Sequence, residues 1–311
     1  IIIGFVTAGI ADLATGAGKL LGVTTGIAYG STIVAGTLAF IVASLIFPSF
    51  IDPSVASQIG DPEAGMLEPI FTIPLSPMVD VTAAIVFSFT MGLGISALRN
   101  NDKGEILYNL FQEFQEIITK VLSIIIIPLL PIYIAGTFAN ITYAGQVWNI
   151  LSIFWRVYLV VIPLHIVYLI IQFTTAGFVS GKNPLKMLKN QIPGYLTAVG
   201  TQSSAATIPV TLECVKKNNI SEEVLDFVVP LGATIHLAGD TITLVLTSMA
   251  VMYMNGQTPT FGMIMPFIFM LGVTMIAAPG VPGGGVMAAL GLLESMLGFG
   301  AVEKPIMIAL H

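Results

Sequence analysis

The stretch Gly232-Ala233-Thr234-Ile235-His236-Leu237-Ala238-Gly239-Asp240-Thr241 decides how the rest of this chain is read. It lies inside a long apolar segment, yet it carries a histidine, a carboxylate, two threonines and two glycines. An ionisable residue near a bilayer midplane costs about 2.5–3.5 kcal/mol on insertion scales, so such residues line cavities and serve transport. Gly239 weakens a helix by about 1 kcal/mol relative to Ala, which predicts a break near that residue. Two more polar interruptions flank it, T-Q-S-S-A-A-T-I-P at Thr201 to Pro209 and P-G-V-P-G-G-G at Pro279 to Gly285. Three interruptions in hydrophobic sequence imply a site built from broken helices, the way secondary transporters hold substrates and ions.

Composition agrees. The chain is 55% apolar and 9% charged, with a mean hydropathy of +0.93, which places it in the membrane class. Cys214 is the single cysteine, so one chain forms no internal disulfide. A formal charge of −6 argues against a basic, nucleic-acid-binding surface, and no nucleic-acid partner is expected. The sequence holds no H-E-x-x-H, G-x-S-x-G or P-loop, and its three histidines lack metal-ligand spacing, so it does not read as an enzyme. The opening I-I-I-G-F-V has neither Met nor a basic leader, and the last residues, P-I-M-I-A-L-H, start a new apolar run. Both ends predict an incomplete chain.

Read in order, residues 1–11 look like the end of a span, and a small-residue turn carrying Lys19 follows. Spans are expected over Ile27–Phe50, Val79–Leu98, Glu105–Phe138 and Trp148–Phe178. The third starts amphipathic, with Phe111, Phe114 and Ile118 against Glu113, Glu116 and Lys120, and Pro128 and Pro131 predict a kink in it. Basic residues set the topology, because cytoplasmic loops are rich in Lys and Arg. Lys19, Arg99–Lys103 and Lys182–Lys189 fall inside; loop 51–76, with Asp52, Asp61, Glu63 and Glu68, and loop 140–146 fall outside.

That alternation then breaks. Lys216-Lys217 also reads as cytoplasmic, but only Asn190 to Val215 separates it from Lys189. Two crossings need about 40 residues, so the segment must enter and return on the same side as a re-entrant hairpin. Val224–Met254 crosses to the outside, and the Pro/Gly density within Phe261–Gly300 predicts a second hairpin. Hairpin plus broken helix, followed by hairpin plus the start of a helix, outlines an inverted repeat.

At these three stretches the sequence resembles the dicarboxylate/amino acid:cation symporter family, the sodium:dicarboxylate symporters of the glutamate-transporter fold. T-Q-S-S-A-A-T-I-P-V-T resembles the family's serine-rich first hairpin tip, P-L-G-A-T-I-H-L-A-G-D its seventh helix and P-G-V-P-G-G-G its second tip. The resemblance implies an all-α polytopic membrane protein with two re-entrant hairpins and a broken transmembrane helix in an inverted repeat. Residues 1–182 would supply scaffold helices and part of the transport domain. Residues 183–311 would form the transport core: hairpin 1 over about 183–217, broken helix 221–255, hairpin 2 259–300, and the start of the last helix 303–311. It also implies a homotrimer in which a transport domain moves like an elevator, in a bacterial-type plasma membrane, with helix one and most of helix eight absent. One motif departs. After G-A-T-I the family reads Asn-Met-Asp-Gly-Thr, where this chain has His236-Leu237-Ala238-Gly239-Asp240. Ala238 stands where the family Asp helps hold sodium, and Asp240 where it has a substrate-contacting Thr.

The expected substrate contacts are Gln202, Ser203, Ser204, Asp240, Val281, Pro282, Gly283 and Gly285, and the expected cation contacts are Gly232, Thr234, His236 and Asp240. Each has a plainer reading. Ser203 and Ser204 serve equally as helix caps, Val281–Gly285 as a tight turn, and Asp240 as the partner of a distant Lys or Arg. His236 reads either as a proton carrier or as a packed replacement for Asn. His165 reads as a packed or interfacial histidine, Arg156 as an anchor, Asp80 as a helix-start carboxylate, and the methionines as membrane packing. The sequence thus predicts a secondary transporter that moves a small dicarboxylate or amino acid with a coupling ion, Na+ or H+, and uses no cofactor. The alternatives are a proton-coupled or neutral-substrate transporter of the same fold, an uncoupled channel or facilitator, and a homologue that transports nothing.

Overall fold

The chain is seen in a computed structural model that describes residues 3, 7, 11, 18–51, 67, 81–99, 101–121, 124–125, 127–145, 147–275, 278, 283–300 and 302–311. Val281 and Pro282 of the expected second tip lie outside the described residues, as do Asp12, Asp80 and the loop residues Asp52, Asp61, Glu63 and Glu68. The regular elements among the described residues are helices. Helix α1 (Gly18–Ile46) ends in a tight turn, Phe47–Ser49, where Pro48 cannot continue it. Helix α2 (Val81–Arg99) closes on Arg99, whose charge suits a helix C-terminus and whose Nε donates to Glu105 Oε1 at 3.0 Å.

Over the expected helix Glu105–Phe138 the described residues form α3 (Glu105–Val121) and α4 (Ile127–Tyr143). Ile124 and Ile125 between them adopt a wide π-type turn. Pro128 has no N–H to donate and stands in the first turn of α4, so the departure from regular α-helix falls where the sequence predicts a kink. Pro131 is absorbed inside α4. Helix α5 (Val147–Ser180) is two-sided. Val157, Val161, Leu164 and Tyr168 repeat at helical spacing and are buried, while Leu159, Ile162, Ile166 and Ile170 are exposed. An exposed apolar face of that length suits lipid.

Hairpin 1 is α6 (Pro184–Thr201) and α7 (Ser204–Lys216), joined by Gln202 and Ser203 and packed along one another. Asn183 caps α6 by accepting from the N–H groups of Leu185 and Lys186 at 3.0 and 3.2 Å. At its open end Lys182 Nζ donates to the carbonyls of Asn218 and Asn219 at 2.6 and 3.0 Å. Lys216 pairs with Glu222 at 3.0 Å, and that hydrogen bond and charge raise the lysine pKa above its ordinary value. Helix α8 (Glu222–Ile235) follows, then α9 (Ala238–Met254). Helices α10 (Phe261–Met275) and α11 (Gly284–Leu297) pack as a second hairpin, and α12 (Glu303–Leu310) ends the chain.

The core forms around α9. The most apolar window of the α8–α9 segment is 72% buried and that of α5 only 22%, so the broken helix sits at the centre and α5 at the rim. Both, with Gly22–Ser49, are long and apolar enough to cross a membrane. Lipid tails give helices no hydrophobic reason to associate, so close backbone approach must do it. Helix α1 achieves this with Ala35, Ala39 and Ala43, all fully buried, and with Gly36. A Cβ on Gly36 would lie 2.7 Å from Ile268 Cγ2 on α10 and 3.1 Å from Thr241 Cγ2 on α9.

Candidate functional site

Each sequence interruption becomes a place where a helix stops. At the first, Gln202 adopts a left-handed conformation (φ 50°) as α6 ends, and its N–H donates to Ala198 O at 2.8 Å. That conformation costs a non-glycine residue about 1–2 kcal/mol, and such strain gathers at functional sites. The tip is tied internally. Thr207 Oγ1 donates to Ser203 O at 2.8 Å and lies 3.2 Å from Thr201 Oγ1, and Ser203 Oγ accepts from Ala206 N at 3.3 Å. The capping role of Ser203 is therefore real, and Ser204 begins α7 beside it.

The second break falls at His236–Leu237, a little before the glycine that predicted it. Their backbones leave the helical region (φ −109°, ψ 79° and φ −106°, ψ 46°), while Gly239 lies within the first turn of α9. Two histidines brace the break. His165 Nε2 lies 3.0 Å from Gly239 O, and its Nδ1 lies 2.8 Å from Val161 O. His236 turns to the other side, where its Nε2 is 2.8 Å from Ser31 Oγ and 3.3 Å from Gln172 Nε2. Tyr168 completes that cluster by donating to Ser31 O at 2.6 Å. Such a cluster suits the packed reading of His236, and His165 is likewise packed. The third break brings Gly283 (φ 71°), which starts α11, to the same region.

The breaks meet around one cavity of about 240 Å³. Ala198, Gln202, Ser203 and Ser204 line it from hairpin 1, Leu237 and Asp240 from the broken helix, and Gly283, Gly284 and Gly285 from the second tip. His311, just past α12, closes it. The Asp240 side chain is 34% exposed there, and its Oδ1 lies 3.3 Å from Nε2 of the buried His311 side chain. A Cβ on Gly285 would lie 2.9 Å from Asp240 Oδ2 and 3.0 Å from His311 Nε2, so only glycine lets α11 approach that pair. The starts of α7, α9 and α11 all border the cavity, and each presents the partly positive end of its helix dipole there.

The structure therefore gathers Gln202, Ser203, Ser204, Asp240, Gly283 and Gly285 from the expected substrate set. The cation set divides. Asp240 lines the cavity, whereas Gly232, Thr234 and His236 do not. The Gly232 carbonyl accepts from His236 N at 3.0 Å, and Thr234 Oγ1 donates to Leu231 O at 2.8 Å. Arg156 donates to the Phe50 carbonyl at 3.3 Å and does not line the cavity. No group of three or more His, Cys, Asp or Glu suited to a metal occurs among the described residues. Sequence reading missed His311. Its one signal was its position a helical turn beyond the buried Met307.

The whole chain, residues 1–311, matches the family described as the sodium:dicarboxylate symporter family. Among curated proteins it is similar to Excitatory amino acid transporter 1 of Ambystoma tigrinum, with 28% identity over 222 residues, 70% of this chain and 40% of that protein. The human protein of the same name is 27% identical over the same shares of both chains. Excitatory amino acid transporter 3 of Mus musculus is 28% identical over 235 residues, 74% of this chain and 44% of that protein. The chain thus spans less than half the length of the curated relatives it matches.

Proposed function

This chain belongs to the sodium:dicarboxylate symporter family, and from that premise we propose that it forms the solute-holding part of a secondary transporter. The transporter carries a small dicarboxylate or amino acid across a bilayer together with a cation, by alternating access. The observation that carries this reading is the meeting of three separately predicted helix breaks at one cavity, with a carboxylate at its edge. Helix starts offer N–H groups to a carboxylate of the solute, as broken helices do in transporters. The names of the relatives, excitatory amino acid transporters, support an amino acid as cargo.

The second tip, α10–α11, acts as the gate. Gly285 approaches Asp240 and His311 without a side chain of its own, which leaves that contact at the tip small, while Val286 and Ala289 behind it anchor α11 in the core. The part that moves is the core of residues 183–311 with its neighbours, carried elevator-fashion within a homotrimer, as the family resemblance implies. Membership and apolar helices fit a multi-pass protein of a plasma membrane; the bacterial type rests on sequence resemblance alone, and the relatives compared are vertebrate.

Sodium is the coupling ion in this reading, with Asp240 as an oxygen ligand, since hard cations prefer oxygen. A second reading, proton coupling, is favoured by Ala238, which brings no side-chain oxygen to the break, and by His236 beside it. Uptake of labelled aspartate into liposomes holding the full-length gene product separates the two. Accumulation driven by a sodium gradient at equal pH supports the first. Accumulation driven only by a proton gradient supports the second, and absence of uptake under both refutes cation-coupled transport of that solute.

A further inference from the structure

We propose that Asp240 is the counter-charge for a cationic nitrogen on the solute, so that the cavity selects ammonium-bearing acids over plain dicarboxylates. The inference rests on the reading of this cavity as the solute site and names the class of solute it takes.

The charges on the cavity wall are unevenly matched. Three helix starts border it and favour a carboxylate of the solute. Among the described residues that line it there is no Lys or Arg, and Asp240 is the one acidic side chain. The Asp240 carboxylate has four lone-pair directions to satisfy. Among the described residues, the recorded side-chain neighbour is His311, at 3.3 Å from Oδ1. The rest of the carboxylate faces the cavity, where the side chain keeps 34% of its exposure. The His311 side chain is 7% exposed, and its buried Nδ1 has no hydrogen-bond partner among the described residues. This is a polar wall whose bonding is unfinished without a solute.

A ligand that completes it carries a carboxylate for the helix starts and a hydrogen-bond donor of positive charge for Asp240. An α-amino acid has both on adjacent atoms. A dicarboxylate would set its second negative group near Asp240, a repulsion that costs affinity unless a cation or proton is placed between them. Aspartate and succinate isolate the effect, because they differ by a single ammonium group; alanine and lactate differ by ammonium against hydroxyl.

Equilibrium binding of labelled aspartate, succinate, alanine and lactate to the full-length gene product, in detergent with saturating NaCl, tests the proposal. The expected result is a preference of at least about tenfold for the amino member of at least one pair. Asp240→Asn and Asp240→Thr should each reduce that preference to within about threefold, with loss on the amino acid side. Two variants guard against one failing to fold, and elution as the wild-type species identifies a folded one. Succinate binding as tightly as aspartate, together with lactate binding as tightly as alanine, overturns the proposal. So does a preference that survives a folded Asp240 variant, or no binding of any of the four. Gly285→Val, which fills the cavity beside Asp240, tells the two failures apart. If it abolishes binding while the ammonium preference is absent, the cavity stands as the site and only the role of Asp240 falls. If it leaves binding unchanged, the reading of the cavity falls with it.

Discussion

His311 Nε2 stands 3.3 Å from Asp240 Oδ1, joining the end of the last helix to the first turn of the broken one. The two residues are far apart in sequence, and the pair sits where α9, α11 and α12 meet. Asp240 also lies in the first turn of α9, where a carboxylate complements the helix dipole. Because Asp240 is a third exposed, the pair is screened and its coupling is modest, about 0.5–1 kcal/mol. A double-mutant cycle of Asp240→Asn and His311→Ala on the full-length protein, read as thermal unfolding in detergent, should return that coupling. Fully additive effects would show that the contact carries no energy.

Gly285→Ala should lower solute affinity, because its new Cβ would stand 2.9 Å from Asp240 Oδ2 and must displace the carboxylate or the tip. The expected loss is at least about tenfold. Gly232→Ala is its control, since nothing lies within 4 Å of a Cβ there. It should raise stability by about 0.5–1 kcal/mol, as alanine does in a helix, with affinity unchanged. Any cation contact through the Gly232 carbonyl survives this change, so a loss of sodium dependence would point to a crowded ion path.

The contact between α1 and the core makes a separate prediction. Gly36→Val drives side-chain atoms into Ile268 and Thr241, already 2.7 and 3.1 Å from a Cβ at that position. Overpacking of this kind costs about 1–3 kcal/mol. Gly30→Ala, with open space around it, should cost nothing. Unfolding midpoints of the two variants should separate clearly, and equal midpoints would show that α1 can shift away from α9.

Ser31→Ala should destabilise by about 1–3 kcal/mol, because it leaves half-buried polar groups of His236, Tyr168 and Gln172 with fewer partners. The cluster lies outside the cavity, so solute affinity at saturating cation should hold. If Ser31→Ala instead changes the coupling ion while sparing stability, His236 acts in coupling rather than in packing.

Much of this architecture was legible in the sequence. The lysines too close together for two crossings pointed to a helical hairpin over 183–217, and α6 and α7 occupy that interval and pack on one another. The three breaks announced themselves because polar and glycine residues interrupted apolar runs. Other features depend on contacts that local sequence does not encode. The second break falls at His236–Leu237, near Gly239 as expected, where His165 holds the Gly239 carbonyl and Ser31 the His236 side chain from two other helices. His311 reads as an ordinary helix end until the rotation of α12 against α9 is known.

The most direct test of the central claim is solute uptake into liposomes by the full-length protein and by its Gly285→Val variant, under imposed sodium and proton gradients. The account predicts that wild type accumulates labelled aspartate or alanine when one of these gradients is present and stops when it is collapsed. It predicts that Gly285→Val, inserted with the same orientation and amount, accumulates neither. Accumulation by the variant equal to wild type would show that solute does not pass through the cavity between the three helix breaks.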